Sequence, residues 1–335
     1  MFTTRRKGII AILCAVFAAA LIACAISLAP SASRTAPVYA AEGDLQVTQI
    51  VDSNDSSTTY ATVEKAVAAG IKFIIDTDEP GVYNGYTSLY DAMWNDFKAN
   101  DTLILLQDCE TSYMKLSNNS IIDLNGHDLV YTGTATIPFN TSGITAAITD
   151  TSVSGTGRGG TLSITGERDG SQSVFEIAGT TLNVSNINVQ STGCVFYPRG
   201  AAVLNITNCD ITTTGVFCVS TNAGDPAYYG VTINISGSSL TAAAENYDDC
   251  AIMMNVSGSL NIENSVITGD RQGLFVRAGD VTVVNSEIVL TGNWAAQEVN
   301  DENAYHNEDW QSGNEARSEE RRVGKECRSR WSPYH

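Results

Sequence analysis

The sequence predicts an all-β solenoid, a right-handed parallel β-helix with a short N-terminal α/β capping region. Seven octets along the middle of the chain have aliphatic first and third positions around a polar second position, which is the period of a half-buried strand. The fifth position of every octet is Gly or Asn, the residues that adopt a positive φ at the lowest cost. Each octet is therefore predicted to form a strand, a sharp corner and a second strand.

The octets begin at Ile122, Leu162, Leu182, Leu204, Ile233, Leu260 and Val281. From the second octet onward the starts lie 20 to 29 residues apart, and the first step, of 40 residues, is predicted to hide one weaker turn. A unit of this length cannot bury its apolar face alone, so the units are expected to stack. The predicted structural turn ladder consists of Gly126, Gly166, Asn186, Asn208, Gly237, Asn264 and Asn285.

A leucine-rich repeat is the competing solenoid, and it would need helical return segments. The return segments here, such as VFEIA and LFVRA, are rich in strand-forming residues. The β-helix is therefore preferred. It should stack the first octet positions into an inner aliphatic ladder and the second positions into an outer polar ladder, Asn183, Asn205, Asn234, Asn261 and Thr282.

Residues 1–40 have the pattern of an export signal. A basic cluster, RRK, precedes an uncharged apolar run at 9–29, and a small-residue cleavage site ends at Ala40. The run is also long enough for an uncleaved membrane anchor, and LIAC resembles a lipoprotein box in which Cys24 would carry the lipid. All three alternatives place the protein outside the cytoplasm, secreted or on a bacterial cell surface, with membrane contact only through this segment.

Residues 41–115 are predicted to form the capping region. Ser88 and Asp91 resemble a helix capping box, and a strand is predicted at 102–106. The predicted helix has one apolar stripe, formed by Leu89, Ala92, Met93 and Phe97. Because an open solenoid end exposes unpaired strand edges, a helix over the first coil would protect it. The β-helix itself is predicted at 116–293.

The run YTSLYDAMWNDFKANDTLILLQD, followed by SIIDLNGHDL, resembles the opening of bacterial cell-surface proteins with a pectate-lyase-like right-handed β-helix. The resemblance covers residues 85–293. It implies the fold and an adhesin-like surface role, whereas its motifs specify no chemistry.

Five cysteines belong to the body of the chain, and their number is odd. No pair has the C-x-x-C spacing of a metal site. Buried free thiols and one disulfide both remain open, although Cys194 and Cys250 are predicted to lie two coils apart, about 10 Å, which is too far for a direct bond. The five are Cys109, Cys194, Cys209, Cys218 and Cys250.

The charge of the chain limits its partners. The formal net charge is −18, and such a surface repels nucleic acid, whose binding depends on Lys and Arg. Nucleic-acid partners are therefore not expected, and a carbohydrate or another cell-surface ligand is the predicted partner. The sequence makes no prediction about the oligomeric state.

Function in solenoids usually lies on insertions between the repeats. Two of the longer repeats contain such an insertion, with the sequences NAGDPAYYG and ENYDD. Their aromatic rings could stack on sugars, and their acids could hold Ca²⁺, the one cofactor considered. No catalytic or metal residue is assigned. The predicted ligand-binding residues are Tyr228, Tyr229, Tyr247, Asp248 and Asp249.

A polysaccharide lyase or glycoside hydrolase on the same fold is the alternative function. A glycosidase needs two carboxyl groups roughly 5 to 10 Å apart. The outward acids, Asp123, Asp128, Asp210 and Glu287, do not share one octet position on adjacent coils. The N-T-D and G-H-G stretches that β-helix hydrolases carry are missing as well. Binding is therefore the preferred function.

The end of the chain changes composition twice. Residues 294–316 are polar and acidic and are predicted to form a linker or loop. Residues 317–335, RSEERRVGKECRSRWSPYH, are strongly basic and resemble a translated sequencing adapter. They are expected not to belong to the native protein, whose own C-terminus would then lie beyond this sequence.

Overall fold

The structure is a computed structural model that describes residues 45–139, 143–169, 172–221, 225–244, 250–270 and 272–291. The predicted export signal at 1–40, linker at 294–316 and basic segment at 317–335 lie outside these ranges.

The described residues form 26 strands. In chain order they are β1 Gln49–Asp52, β2 Asp55–Tyr60, β3 Phe73–Asp76, β4 Val82–Tyr86, β5 Thr102–Leu105, β6 Cys109–Thr111, β7 Ser120–Asp123, β8 Leu129–Tyr131, β9 Ile137–Phe139, β10 Thr145–Thr149, β11 Thr161–Ile164, β12 Ser173–Ala178, β13 Thr181–Ser185, β14 Asn188–Ser191, β15 Cys194–Arg199, β16 Val203–Thr207, β17 Asp210–Thr213, β18 Val219–Thr221, β19 Val231–Ser236, β20 Ser239–Ala242, β21 Cys250–Met254, β22 Gly258–Glu263, β23 Val266–Gly269, β24 Gln272–Val276, β25 Asp280–Val284 and β26 Glu287–Leu290. The α-helices are α1 Val63–Ala68 and α2 Leu89–Asn95, and Pro226–Tyr228 form one turn of 3₁₀-helix.

The strands form three sheets, named here A, B and C. Sheet A has the order β2-β1-β4-β3-β5-β7-β10-β13-β16-β19-β22-β25, sheet B runs from β6 through β8, β11, β14, β17, β20 and β23 to β26, and sheet C runs from β9 through β12, β15, β18 and β21 to β24. From β7 onward the neighbours in each sheet are parallel and follow each other at every third strand. Each coil therefore adds one strand to each sheet, which confirms the predicted parallel β-helix.

Two aliphatic ladders fill the interior. The predicted first-position ladder lies in register in sheet A and is formed by Leu182, Leu204, Ile233, Leu260 and Val281. The eighth octet positions form the second ladder, in sheet B, with the members Leu129, Leu162, Val189, Ile211, Leu240, Ile267 and Ile288. All of these side chains are buried, so the ladders supply much of the hydrophobic stabilisation.

Two octets differ from the predicted register. Leu162 pairs with Val189 in sheet B and so occupies an eighth position, not a first one. The first position of its coil is Ala146 in β10, which supplies the weaker turn predicted inside the 40-residue step. Ile122 pairs with Ile148 and occupies a third position. Every strand of a coil alternates between inward and outward side chains. This alternation alone could therefore not show which octet position Leu162 or Ile122 occupies.

The corners explain most of the Gly and Asn pattern. Five residues of the predicted turn ladder have φ between 48° and 61°: Asn186, Asn208, Gly237, Asn264 and Asn285. Gly126 has φ 84° and follows Asn125, with φ 49°, in a two-residue turn. Gly166 does not have a positive φ. It lies beside the backbone of the preceding coil, where a Cβ atom would come 2.2 Å from the Gly133 carbonyl oxygen.

The predicted outer polar ladder is a chain of amide hydrogen bonds. Asn205 donates to the Oδ1 atom of Asn183 at 2.8 Å, Asn234 donates to Asn205 at 2.8 Å and Asn261 donates to Asn234 at 2.9 Å. These side chains stand on consecutive strands of sheet A. The amides therefore connect four coils.

A serine column runs beside the corners. Ser238, Ser265 and Ser286 are buried, and each hydroxyl donates to the carbonyl two residues earlier. Each hydroxyl also accepts the backbone N–H of the preceding coil, such as that of Cys209 on Ser238 at 3.0 Å. The column thus satisfies buried backbone donors that the sheets leave unpaired.

The capping region extends sheet A and covers the first coil. One face of β3 and β5, with Phe73 and Leu103, packs against Met93 of α2 and joins the interior of the β-helix. The opposite face, with Ile74, packs against Ala66 of α1. Helix α2 begins after Ser88, whose hydroxyl accepts the N–H of Asp91 at 3.3 Å. The predicted helix thus closes one end of the core.

All five cysteines of the body are buried, and none of them forms a disulfide among the described residues. The register of sheet C places Phe217 between Cys194 and Cys250, so these thiols are two coils apart, as predicted. Neither α-helix in the described ranges has the length and apolar character that crossing a membrane requires.

Candidate functional site

The two insertions predicted to carry function are described unequally. Residues 225–230 of the first insertion are described, and they contain Tyr228 and Tyr229. Tyr247, Asp248 and Asp249 of the second insertion lie outside the described residues. The candidate site is therefore built around the first insertion.

The first insertion is fixed against the corner of the preceding coil. The Asp225 carboxylate caps the 3₁₀ turn by accepting the N–H of Ala227 at 2.9 Å, and Pro226 starts the turn with a preset φ. The carbonyl oxygen of Tyr228 accepts the N–H of Gly200 at 3.0 Å, and that of Tyr229 accepts the N–H of Ala201 at 3.0 Å. These bonds hold both tyrosines beside the end of β15.

Arg199, at the end of β15, connects the insertion to sheet C. Its guanidinium lies over the Tyr228 ring, 4.7 Å from the ring centroid. Its Nε atom donates to Oε1 of Glu176 at 2.6 Å, and Nη2 forms an ion pair with the same carboxylate. The Arg199 and Glu176 side chains are 27% and 28% exposed, so the pair is immobilised but can still be reached from solvent.

Tyr197 completes the cluster, which we name the Arg199 site: Glu176, Tyr197, Arg199 and Tyr228, with Tyr229 next to Tyr228 in the chain. Tyr197 pairs directly with Glu176 across sheet C, one coil apart. The Tyr197 hydroxyl is protonated at neutral pH, as in any tyrosine, and burial raises its pKa further, so it can donate a hydrogen bond. Tyr229 is 39% exposed and offers a ring surface to solvent.

The chemistry available at the Arg199 site is that of recognition. It presents aromatic rings, a guanidinium held in one orientation and a carboxylate, which together suit a ligand with apolar faces and polar edges. The one carboxylate of the cluster is paired with Arg199. Among the described residues no group of three or more His, Cys, Asp or Glu is placed to hold a metal ion.

Glu176, Tyr197 and Arg199 were not predicted from the sequence as site residues. The dipeptide Val-Phe occurs at 174–175, 195–196 and 216–217. Aligning the first two copies would have placed Glu176 beside Tyr197, as the structure does, whereas the third copy is out of register, because Phe196 pairs with Val219. The contact of Arg199 with Tyr228 had no such signal, since it depends on the path of the insertion.

The chain was compared with protein-family models, with curated proteins and with solved structures, and none of the three comparisons gives a match.

Proposed function

We propose that the protein is an exported cell-surface β-helix that binds glycans at the Arg199 site. The observation that supports this proposal most directly is that Arg199 is held between the Glu176 carboxylate and the Tyr228 ring. A site whose side chains are already held in place loses little conformational entropy when it binds a ligand. The N-terminal sequence pattern supports export.

A saccharide matches the groups at the Arg199 site. The CH faces of a sugar ring are apolar and can stack on exposed rings such as that of Tyr229, whereas its hydroxyl groups exchange hydrogen bonds with a guanidinium and a carboxylate. The formal net charge of −18 disfavours polyanionic glycans. Uncharged glycans are therefore the proposed ligand class.

The test measures binding of the full chain to neutral and acidic oligosaccharides by titration calorimetry. Tyr228→Ala and Arg199→Lys should weaken binding of the neutral ligands about tenfold, because the first removes a ring on which a sugar can stack and the second removes the planar set of donors that a sugar's hydroxyl groups can meet. Lys keeps the charge of Arg199 but cannot reproduce its planar fork. Unchanged affinity in both variants would overturn the proposal.

Arg277→Lys is the matched control. Arg277 lies over the Phe275 ring at 4.6 Å, so it makes the same kind of contact, and its register in sheet C places it three coils beyond Arg199. Its substitution should leave affinity unchanged.

The same incubations separate binding from catalysis. New reducing ends or unsaturated uronates that form with the wild type and are lost in Glu176→Gln would replace the binding proposal with a polysaccharide-active enzyme. An unchanged substrate after prolonged incubation supports binding.

A further inference from the structure

Three aromatic rings form a cluster on the capping region, away from the Arg199 site. Tyr90 and Trp94 stand one turn apart on α2, with parallel planes and ring centroids 6.1 Å apart. Tyr113, which follows β6, approaches Tyr90 at 5.5 Å and meets Trp94 edge-on at 5.2 Å. We name these three residues the aromatic cluster.

Packing against the core explains the apolar residues on one side of α2, but it does not explain the aromatic residues on the other side. Leu89, Ala92 and Met93 face the core and are buried, whereas Tyr90 is 45% exposed and Trp94 is 58% exposed. Trp is highly buried on average in folded proteins. Two large rings held against each other in solvent therefore suggest a ligand-binding surface.

The extent of the patch favours a small ligand over a protein. Within the described ranges, the other exposed large hydrophobic side chains are Tyr229, Val266 and Val284. The two valines lie in the last two described coils, and Tyr229 lies next to the Arg199 site. Among the described residues, no exposed large aliphatic side chain therefore adjoins the aromatic cluster. A specific protein interface buries about 800 Å² per partner, which three rings cannot supply.

The surroundings of the rings are polar and of mixed sign. Asp91, Asp96 and Lys98 are exposed on or next to α2. A saccharide suits this setting, because its ring has an apolar face for stacking and hydroxyl groups that both donate and accept hydrogen bonds. The acidity of the whole chain again favours an uncharged saccharide.

We propose that the aromatic cluster is a second carbohydrate-binding site, at which a pyranose ring of an uncharged glycan stacks on Trp94. This inference rests on the proposed function for its ligand class and adds a second contact surface on the capping region. The two sites lie on separate elements, so their variants report on them independently.

The experiment titrates the full chain with neutral hexasaccharides of glucose, mannose and xylose, and with oligogalacturonate as an acidic counterpart. Trp94→Ala should weaken binding of at least one neutral hexasaccharide about tenfold, and Trp94→Phe should retain most of the affinity because it keeps a ring. The ligand should also change the Trp fluorescence of the wild type, and this change should disappear in Trp94→Phe. Because Trp94 is exposed, circular dichroism should show that both Trp94 variants are folded, and Trp94→Ala should melt slightly below the wild type, since it loses the ring contacts with Tyr90 and Tyr113.

The matched variants distinguish the two sites. If Tyr228→Ala weakens binding and Trp94→Ala leaves the affinity unchanged, the Arg199 site is supported and the second site is overturned. Weaker binding in Trp94→Ala alone would support the aromatic cluster and reject the Arg199 site. Absence of saccharide binding by the wild type would overturn both proposals.

Discussion

At the scale of single residues, Asp150 shows how one coil departs from the corner rule. It takes the corner position that Asn occupies in later coils, and it is fully buried. Its carboxylate accepts the N–H groups of Gly126 at 2.8 Å, Gly160 at 2.7 Å and Ser152 at 2.9 Å. An ionised carboxylate has the acceptor sites for these donors, so Asp150 ties the preceding corner to the start of β11.

Asp150→Asn should therefore lower the free energy of unfolding by about 2 to 4 kcal/mol. The amide keeps the shape but cannot accept on its nitrogen, so buried donors lose their partner at about 1 to 3 kcal/mol each. Urea unfolding measures the change. Asp210→Asn is the control, because Asp210 is exposed on β17 and should shift stability by less than about 0.5 kcal/mol. Equal changes in both variants would contradict this role.

The buried thiols predict a loss of stability at alkaline pH. Burial raises the pKa of Cys209 to about 11 and that of Cys194 to about 12, from an ordinary value of 9.0. Below pH 9 these thiols are protonated in both the folded and the unfolded state. Above it the unfolded state loses protons first, so stability falls as the pH rises toward the folded pKa values.

Cys209→Ser isolates one of these thiols. The Cys209 Sγ atom lies 3.3 Å from the Thr207 carbonyl oxygen, and Ser238 one coil later makes the equivalent contact, so a hydroxyl fits this position. Between pH 9 and pH 11 the variant should lose less stability than the wild type, by up to about 1.4 kcal/mol per pH unit. The free energy of unfolding is measured with urea at each pH. If it falls equally steeply with pH in the variant and the wild type, the Cys209 thiol does not cause the loss of stability.

At the scale of elements, the strands are specified by columns of like side chains. The Asn column and the serine column each repeat one hydrogen bond from coil to coil. A one-residue slip of any strand would point its polar residues into the core. The columns therefore fix register as well as adding stability.

Asn205→Ala tests the amide column at its middle. Asn205 both donates to Asn183 and accepts from Asn234, so the substitution removes two hydrogen bonds from half-buried groups and should cost about 1 to 3 kcal/mol. Thr282→Ala, at the exposed end of the same column, should cost less than about 0.5 kcal/mol. Chemical unfolding of both variants gives the comparison, and a smaller effect at Asn205 than at Thr282 would show that the column contributes no stability.

At the scale of the whole described fold, the first coil and the last described coil differ in their described neighbours. The first coil is covered by α2 and by the strands of the capping region. In the described part of the chain, β25 has β22 as its one neighbour in sheet A and β26 has β23 as its one neighbour in sheet B. Each coil of a solenoid is stabilised mainly by its neighbours, so local stability should fall toward β26.

Native-state hydrogen exchange measures this gradient. The backbone amides of β13 and β16 should exchange most slowly, and those of β25 and β26 about tenfold faster, because the last described coil has a described neighbour on one side only and can open without disturbing the others. Uniform protection from β13 to β26 would show that the described coils unfold as one cooperative unit.

The amino-acid sequence by itself determined the fold class, the inner ladder of first octet positions, the amide column and the capping helix. Strand alternation, the φ preference of Gly and Asn and helix capping are local properties, and they repeat often enough here to be read without a structure. The same local patterns predicted the corner at Asn186 and the stripe on α2 that contains Met93.

Only the tertiary structure decided the register of Leu162, the residues that join Tyr228 at the Arg199 site and the membership of the aromatic cluster. Which residues become neighbours across coils depends on the length of every intervening turn and insertion, and no local period records that length. Glu176, Arg199 and Tyr228 come from successive coils, and Tyr113 joins Tyr90 and Trp94 from a separate segment. The physical reason is that stacking, and not sequence proximity, brings these side chains together.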